Sequence, residues 1–251
     1  MPRGPRVFSA DLHVHTALSP CAETEMNPLN IVGLCLDYGI DLVAVTDHNT
    51  AGNVRAVMEC ARGTAVTVWP GMEVQTKEEV HLVVLGDNLE AVLKWEALIT
   101  SRLPDIPNRP ELFGEQLLFD KEGRVTGVFP RQLLNSVDLS VDEVRTQAER
   151  MGLICYPAHI DRPAYSYVSN LGFLPPPGDF DLVEVSAGTP LGEVKRRFPS
   201  LEGRGIVVSS DAHRLTDLGP ARTRLLLARP ILGEFAAAIA GRGGRNVEPV
   251  H

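Results

Sequence analysis

The stretch DLHVHTALSPC, Asp11 to Cys21, ends an apolar run with two histidines two residues apart and a cysteine six residues after the second. The whole chain holds seven histidines and four cysteines, so three of the eleven fall within this one segment. On a strand, side chains at i and i+2 share a face, so Asp11, His13 and His15 are expected to point together. Two imidazoles at that spacing can grip one metal ion.

Working outward, the chain repeats this grammar. The runs VFSADLHV, DLVAVTD, AVTVWPGME, EVHLVVLG, GLICYPAH, DLVEVSA, GIVVSSDAH and RTRLLLA are short and rich in Val, Ile and Leu, as strands covered on both faces are. Helical segments lie between them. NPLNIVGLCLDYG has Asn27 as N-cap, Pro28 in the first turn and Gly39 as stop. NTAGNVRAVMECARG ends at Gly63, SVDEVRTQAERMG opens with a Ser140–Glu143 capping box, and PILGEFAAAIAGRG is a last amphipathic helix. Strands alternating with helices predict an α/β fold with parallel pairing.

His13, His15, His48, His159 and His213 stand at the carboxyl ends of these runs, and His81 stands near the start of one, shortly after Glu73. In a parallel barrel the carboxyl ends meet at one mouth, where such barrels carry their chemistry. Imidazoles joined by Glu73 and Asp211 form a ligand set for Zn, Mn or Fe, and a multinuclear site is expected.

The rest of the chain sets limits. With 251 residues, 44% hydrophobic and 22% charged, it reads as one globular domain over 1–241 with a frayed tail over 242–251, where His251 is idle. About 103–137, with Pro104, Pro107, Pro110 and Pro130, reads as an insertion on the rim containing a hairpin that turns at Asp120 to Gly123. No apolar run approaches the roughly 20 residues of a membrane span, and no signal-peptide core is present, so a cytoplasmic protein with no membrane partner is expected. Cys35, Cys60 and Cys155 read as reduced core residues. A net charge of -8 argues against coating nucleic acid and leaves room for a small anionic substrate.

DLHVHT, AVTDHN, GMEV followed by EEVHLVVLG, YPAHIDRP and SSDAH resemble, in order and context, the motifs of the PHP (polymerase and histidinol phosphatase) family, from about residue 8 to residue 215. The resemblance implies a distorted (β/α)7 TIM-like barrel, two or three divalent metal ions at its mouth, and phosphoester hydrolysis of the kind carried out by stand-alone members. It further implies that His13, His15 and Asp211 hold one metal. Glu73 would bridge to a second, completed by His81 and His159, and His48 and His213 would hold a third. Some members place another histidine in the third site where this chain has Cys21, and many use Asp nearby. Cys21 is therefore expected either to ligate that metal or to pack a turn.

On this reading a metal-bridging water held by His13, His15, Glu73 and Asp211 is deprotonated and attacks phosphorus. Asp11 and Asp47 orient imidazoles or cap strand ends. Arg162 and Arg214 contact the phosphate or form surface ion pairs, and Tyr156, Tyr165 and Tyr167 line a base- or sugar-binding wall or pack in the core. The expected substrate is a nucleotide or other small phosphomonoester, and the alternative is exonucleolytic trimming of short oligonucleotides. Amidohydrolases also begin a barrel with HxH, but they add a bridging lysine and would leave His48 and the DAH motif without a role. A non-catalytic metal-binding regulatory module is the remaining alternative.

Overall fold

The computed structural model describes residues 4–176 and 178–250, so His251 lies outside the described residues. The strands are β1 (Arg6–Val14), β2 (Leu42–Val45), β3 (Thr67–Gln75), β4 (His81–Leu85), β5 (Leu117–Phe119), β6 (Val125–Val128), β7 (Ile154–Pro157), β8 (Leu182–Ser186), β9 (Gly205–Ser209), β10 (Thr223–Leu227) and β11 (Asn246–Pro249). The helices are α1 (Pro28–Asp37), α2 (Val54–Cys60), α3 (Leu89–Arg102), α4 (Pro110–Phe113), α5 (Val141–Arg150), α6 (Tyr167–Leu171), α7 (Leu191–Arg197) and α8 (Leu232–Ile239).

Seven strands form one curled sheet in the order β11-β10-β1-β2-β3-β4-β7, and β8 pairs with β9. Sparse contacts close the gap between the two sheets. On one side Ile160 N donates to the Glu184 carbonyl (2.9 Å). On the other, His15 N donates to the Ala212 carbonyl (3.0 Å), and Ser210 N donates to Asp11 Oδ1 (3.1 Å). The ring β1-β2-β3-β4-β7-β8-β9 is thus the distorted seven-stranded barrel, and β10, paired with β1 and β11, stands at the seam with β9, where Thr223 Oγ1 accepts from Val208 N and donates to the Val208 carbonyl.

Two departures from the parallel expectation matter. β4 runs antiparallel to both β3 and β7. Its start therefore lies at the rim where its neighbours end, and Gln75 faces His81 in register. This explains why His81 opens its strand while the other site histidines close theirs. The second departure is a register break in β1 between Asp11 and Val14. Ala10 and Leu12 belong to the inner cluster with Trp69, Val83 and Tyr156, whereas Val14 belongs to the outer cluster under the helices. The break turns His13 and His15 inward together and parts them from Asp11, which corrects the simple alternation.

The inner cluster fills the barrel below the rim, and α8 plugs its base through Leu232, Phe235 and Ala238. The caps of α1 and α5 form as expected, with Asn27 accepting from Asn30 N and the Ser140–Glu143 box complete. Helix α3 is not among the expected helices. Its core-facing Val92, Trp95 and Ile99 stand three and four residues apart, which is the helical period.

The tail is also corrected. Asn246–Pro249 pair with β10 from Thr223↔Pro249 to Leu226↔Asn246, because the free edge of β10 offers backbone partners. Residues 103–137 lie over the loops that follow β1 and β2. Leu117 N donates to the Ala17 carbonyl, Asn49 Nδ2 donates to the Leu133 carbonyl, and the β5–β6 hairpin is present. Gly114 has φ +100, and a Cβ there would sit 2.0 Å from the Pro20 carbonyl oxygen, so only glycine allows this approach beside Cys21.

Candidate metal centre

At the rim, six histidines and two carboxylates meet. Glu73, 1% exposed, stands at the centre. His81 Nδ1 is 2.8 Å and His159 Nε2 3.2 Å from its Oε1. His48 Nδ1 is 2.9 Å and His15 Nε2 3.4 Å from its Oε2. His13 Nε2 lies 3.4 Å from Glu73 Oε1 and 3.3 Å from Asp211 Oδ1, and 3.0 Å from His15 Nε2. His15 Nε2 is 3.0 Å from Asp211 Oδ1.

Three groups hold donor atoms all within 4.8 Å of one another: His13, His15, Glu73 and Asp211; His48, Glu73 and His81; and His15, His48 and His213. The structure thus brings together all eight imidazole and carboxylate residues named from the sequence. It groups His48 with Glu73 and His81 as well as with His213. His159 reaches Glu73 and lies 4.0 Å from Asp211 Oδ2, outside these three groups.

The donor set fits divalent cations. Glu73 Oε2, Asp211 Oδ1 and His48 Nδ1 are buried and make no geometrically sound hydrogen bond, despite neighbours within about 3 Å. Buried imidazole nitrogens and carboxylate oxygens packed this closely, with atoms left unpartnered, form a donor set that suits a cation. Burial opposes the charged form of both carboxylates, but the surrounding imidazoles hold Glu73 and Asp211 well below the usual carboxylate range. Burial then pushes His81 down to about 4 and, with the charges of His213 and His48, pushes His15 well below its ordinary value. Burial also disfavours charge on His13, yet Glu184, Asp211 and Glu73 raise it well above that value.

Cys21 keeps an exposed surface. Desolvation pushes its thiol up, but the nearby imidazoles of His48 and His213 outweigh it and bring it down to about 6. Cys21 lies outside the three compact donor groups.

Sequence reading missed the groups that orient the imidazoles. His13 Nδ1 donates to Glu184 Oε1 at 2.9 Å. His15 Nδ1 is 2.8 Å from Ser19 Oγ, which itself donates to Asp47 Oδ1 at 2.8 Å. Gln75 Oε1 accepts from His81 Nε2 at 3.0 Å. Neither Asp11 nor Asp47 hydrogen-bonds an imidazole: Asp11 accepts from the backbone of His13 and Ser210, and Asp47 binds Thr16 and Ser19. Burial pushes each of these two carboxyls up to about 6. The signal for Glu184 was available, as the lone carboxylate within the apolar run LVEVS.

The cations divide. Arg162 Nη1 is 2.5 Å from Asp211 Oδ2. Arg214 turns outward to Glu23 at 3.5 Å. Asp211 and His159 have φ of 51° and 26°, in the left-handed region that side chains avoid, as residues at working sites often do.

A curled α/β barrel carries this cluster of imidazoles and carboxylates at its rim. Residues 11–128 match the PHP domain family model. Among solved structures, the lesion-specific endonuclease PfuEndoQ from Pyrococcus furiosus is similar at 19% identity and TM-score 0.67, over 96% of this chain. The chain spans 58% of that endonuclease. A Bifidobacterium adolescentis protein assigned as a metal-dependent phosphoesterase is 16% identical, with TM-score 0.57 over 90% of this chain and 91% of that one. An amidohydrolase from Chromobacterium violaceum, with bound sulfate and no metal, is 17% identical, with TM-score 0.55 over 84% and 90% of the two chains. No curated protein matches the sequence.

Proposed function

We propose that the protein hydrolyses a small phosphomonoester at two or three divalent ions of Zn, Mn or Fe, held by His13, His15, His48, Glu73, His81, His159, Asp211 and His213, with Cys21 at the third. The observation that carries this reading is the convergence of buried imidazole nitrogens and carboxylate oxygens around Glu73 and Asp211. Bound there, divalent ions supply Lewis acidity toward phosphoryl oxygens and acidify water.

The chain's own residues supply the rest. Glu73 offers one oxygen to His13, His81 and His159 and the other to His15 and His48, so it can serve two neighbouring ions. Glu184 fixes His13 with Nε2 toward the cluster, and the Asp47–Ser19 pair does the same for His15. Arg162, with its side chain 41% exposed beside Asp211, presents guanidinium donors at the mouth, where they suit phosphoryl oxygens. Arg214, paired with Glu23, is better read as a surface residue.

Among the described residues no helix is long and apolar enough to cross a membrane. A cytoplasmic location remains part of the proposal. The second reading, cleavage at a short strand end, draws on the likeness to the endonuclease and is disfavoured by the net charge of -8.

The test is elemental analysis of protein loaded with zinc, manganese or iron, paired with phosphate release from a panel of nucleotides, sugar phosphates and end-phosphorylated oligonucleotides. Chelator-sensitive release from the small esters is expected. Bound metal without release from any member would instead favour a non-catalytic module.

A further inference from the structure

Three tyrosines follow one another from β7 to the start of α6, and the structure separates them. Tyr156 is 0% exposed, and its hydroxyl donates to the Leu12 carbonyl at 3.4 Å. Tyr167 is buried against Phe173 and Phe180. Tyr165 is different: it is 47% exposed and stacks on His81, with ring centroids 5.0 Å apart and planes 26° apart.

The backbone holds that ring deliberately. Tyr165 has φ 55°, a conformation that bulky residues rarely adopt. It is pinned by His81 N, which donates to the Tyr165 carbonyl at 3.0 Å. The next residue closes the loop on itself, as Ser166 Oγ donates to the Arg162 carbonyl at 2.8 Å. One short loop therefore carries both a guanidinium at Asp211 and an aromatic face one imidazole layer from Glu73. A ring needed only for packing would gain nothing from strained backbone and half-exposure.

We propose that Tyr165 is the stacking wall of a subsite for a nucleobase carried by the phosphoester whose phosphate lies at the cluster and Arg162. This inference rests on the phosphoesterase reading and narrows its substrate class to nucleoside phosphates. A free mononucleotide and the terminal nucleotide of a strand share that chemistry.

The test is equilibrium binding of AMP, ribose 5-phosphate and end-phosphorylated tetranucleotides to the zinc-loaded protein, with phosphate release followed in parallel. Base stacking on an aromatic side chain predicts that AMP binds on the order of 5- to 100-fold more tightly than ribose 5-phosphate. Tyr165→Phe keeps the ring and should keep that ratio, while Tyr165→Leu should bring it close to one. A tetranucleotide that binds more tightly than AMP would assign the subsite to strand ends, and the reverse order to free nucleotides. A wild-type ratio near one overturns the proposal. So does a Tyr165→Leu variant that weakens both ligands equally, since the ring would then merely cover His81. Failure to release phosphate would count against hydrolysis alone, because the binding ratio is read without turnover.

Discussion

Glu184 Oε1 accepts from His13 Nδ1 at 2.9 Å and also from the backbone N of His159 at 3.2 Å. One buried carboxylate on β8 thus fixes a candidate ligand on β1 and the start of the loop after β7, across the gap between the two sheets. Its other oxygen, Oε2, is buried without a hydrogen-bond partner.

Glu184→Gln keeps the shape and removes the charge. Carboxylates that orient ligating imidazoles typically contribute 10- to 100-fold in metal affinity. The variant should bind zinc at one site weaker by about that factor, as measured by chelator competition. Undiminished affinity would reduce Glu184 to a packing residue.

His13→Ala removes a donor that faces both Glu73 and Asp211. Phosphate release should fall to background, and elemental analysis should show one ion fewer per chain. Near wild-type rates with full metal content would refute the ligand assignment.

Cys21 provides a pH test in the metal-free protein. Its thiol is brought down to about 6, so it is largely thiolate at pH 7 and becomes protonated as pH falls through 6. Alkylation by iodoacetamide should be fast at neutral pH and slow steeply below about pH 6. Cys35, pushed up to about 12 by burial, should stay unreactive throughout. Zinc should protect Cys21, and Cys21→Ser should lower the occupancy of one ion only. Unchanged affinity for every ion would leave Cys21 as a turn residue.

The two arginines should behave unequally. Arg162→Ala removes a cation in contact with Asp211 and should raise KM for a phosphomonoester by about tenfold, the scale of one charge-assisted hydrogen bond. Arg214→Ala breaks only an exposed pair with Glu23 and should change KM by less than about twofold. Equal effects would contradict the roles assigned to them.

Much of the site was legible because its residues interrupt apolar runs: a histidine or carboxylate at a strand end stands out against Val, Ile and Leu. The directions of strands were less legible. Periodicity gives a strand's existence but not its polarity, so the reversal of β4 was hidden, although the short Thr76–Val80 link allowed a hairpin. The register break in β1 was invisible for the same reason, since Leu12 and Val14 are equally apolar yet face opposite sides. Glu184 was passed over because a mid-strand carboxylate resembles a solvent-facing residue until its neighbours are known. The tail misled through its glycines, since pairing with β10 is a tertiary event that composition does not encode.

The reversal of β4 constrains how this scaffold can change. The loops that follow β1, β2, β7 and β8 each lead to a helix, and one stretch of rim already carries the 103–137 insertion. The five-residue link Thr76–Val80 alone ties two members of the cluster, Glu73 and His81, through one hairpin, so lengthening it by a single residue would slide one against the other. Libraries that diversify this protein should leave that link at its present length and draw their variation from the neighbouring loops.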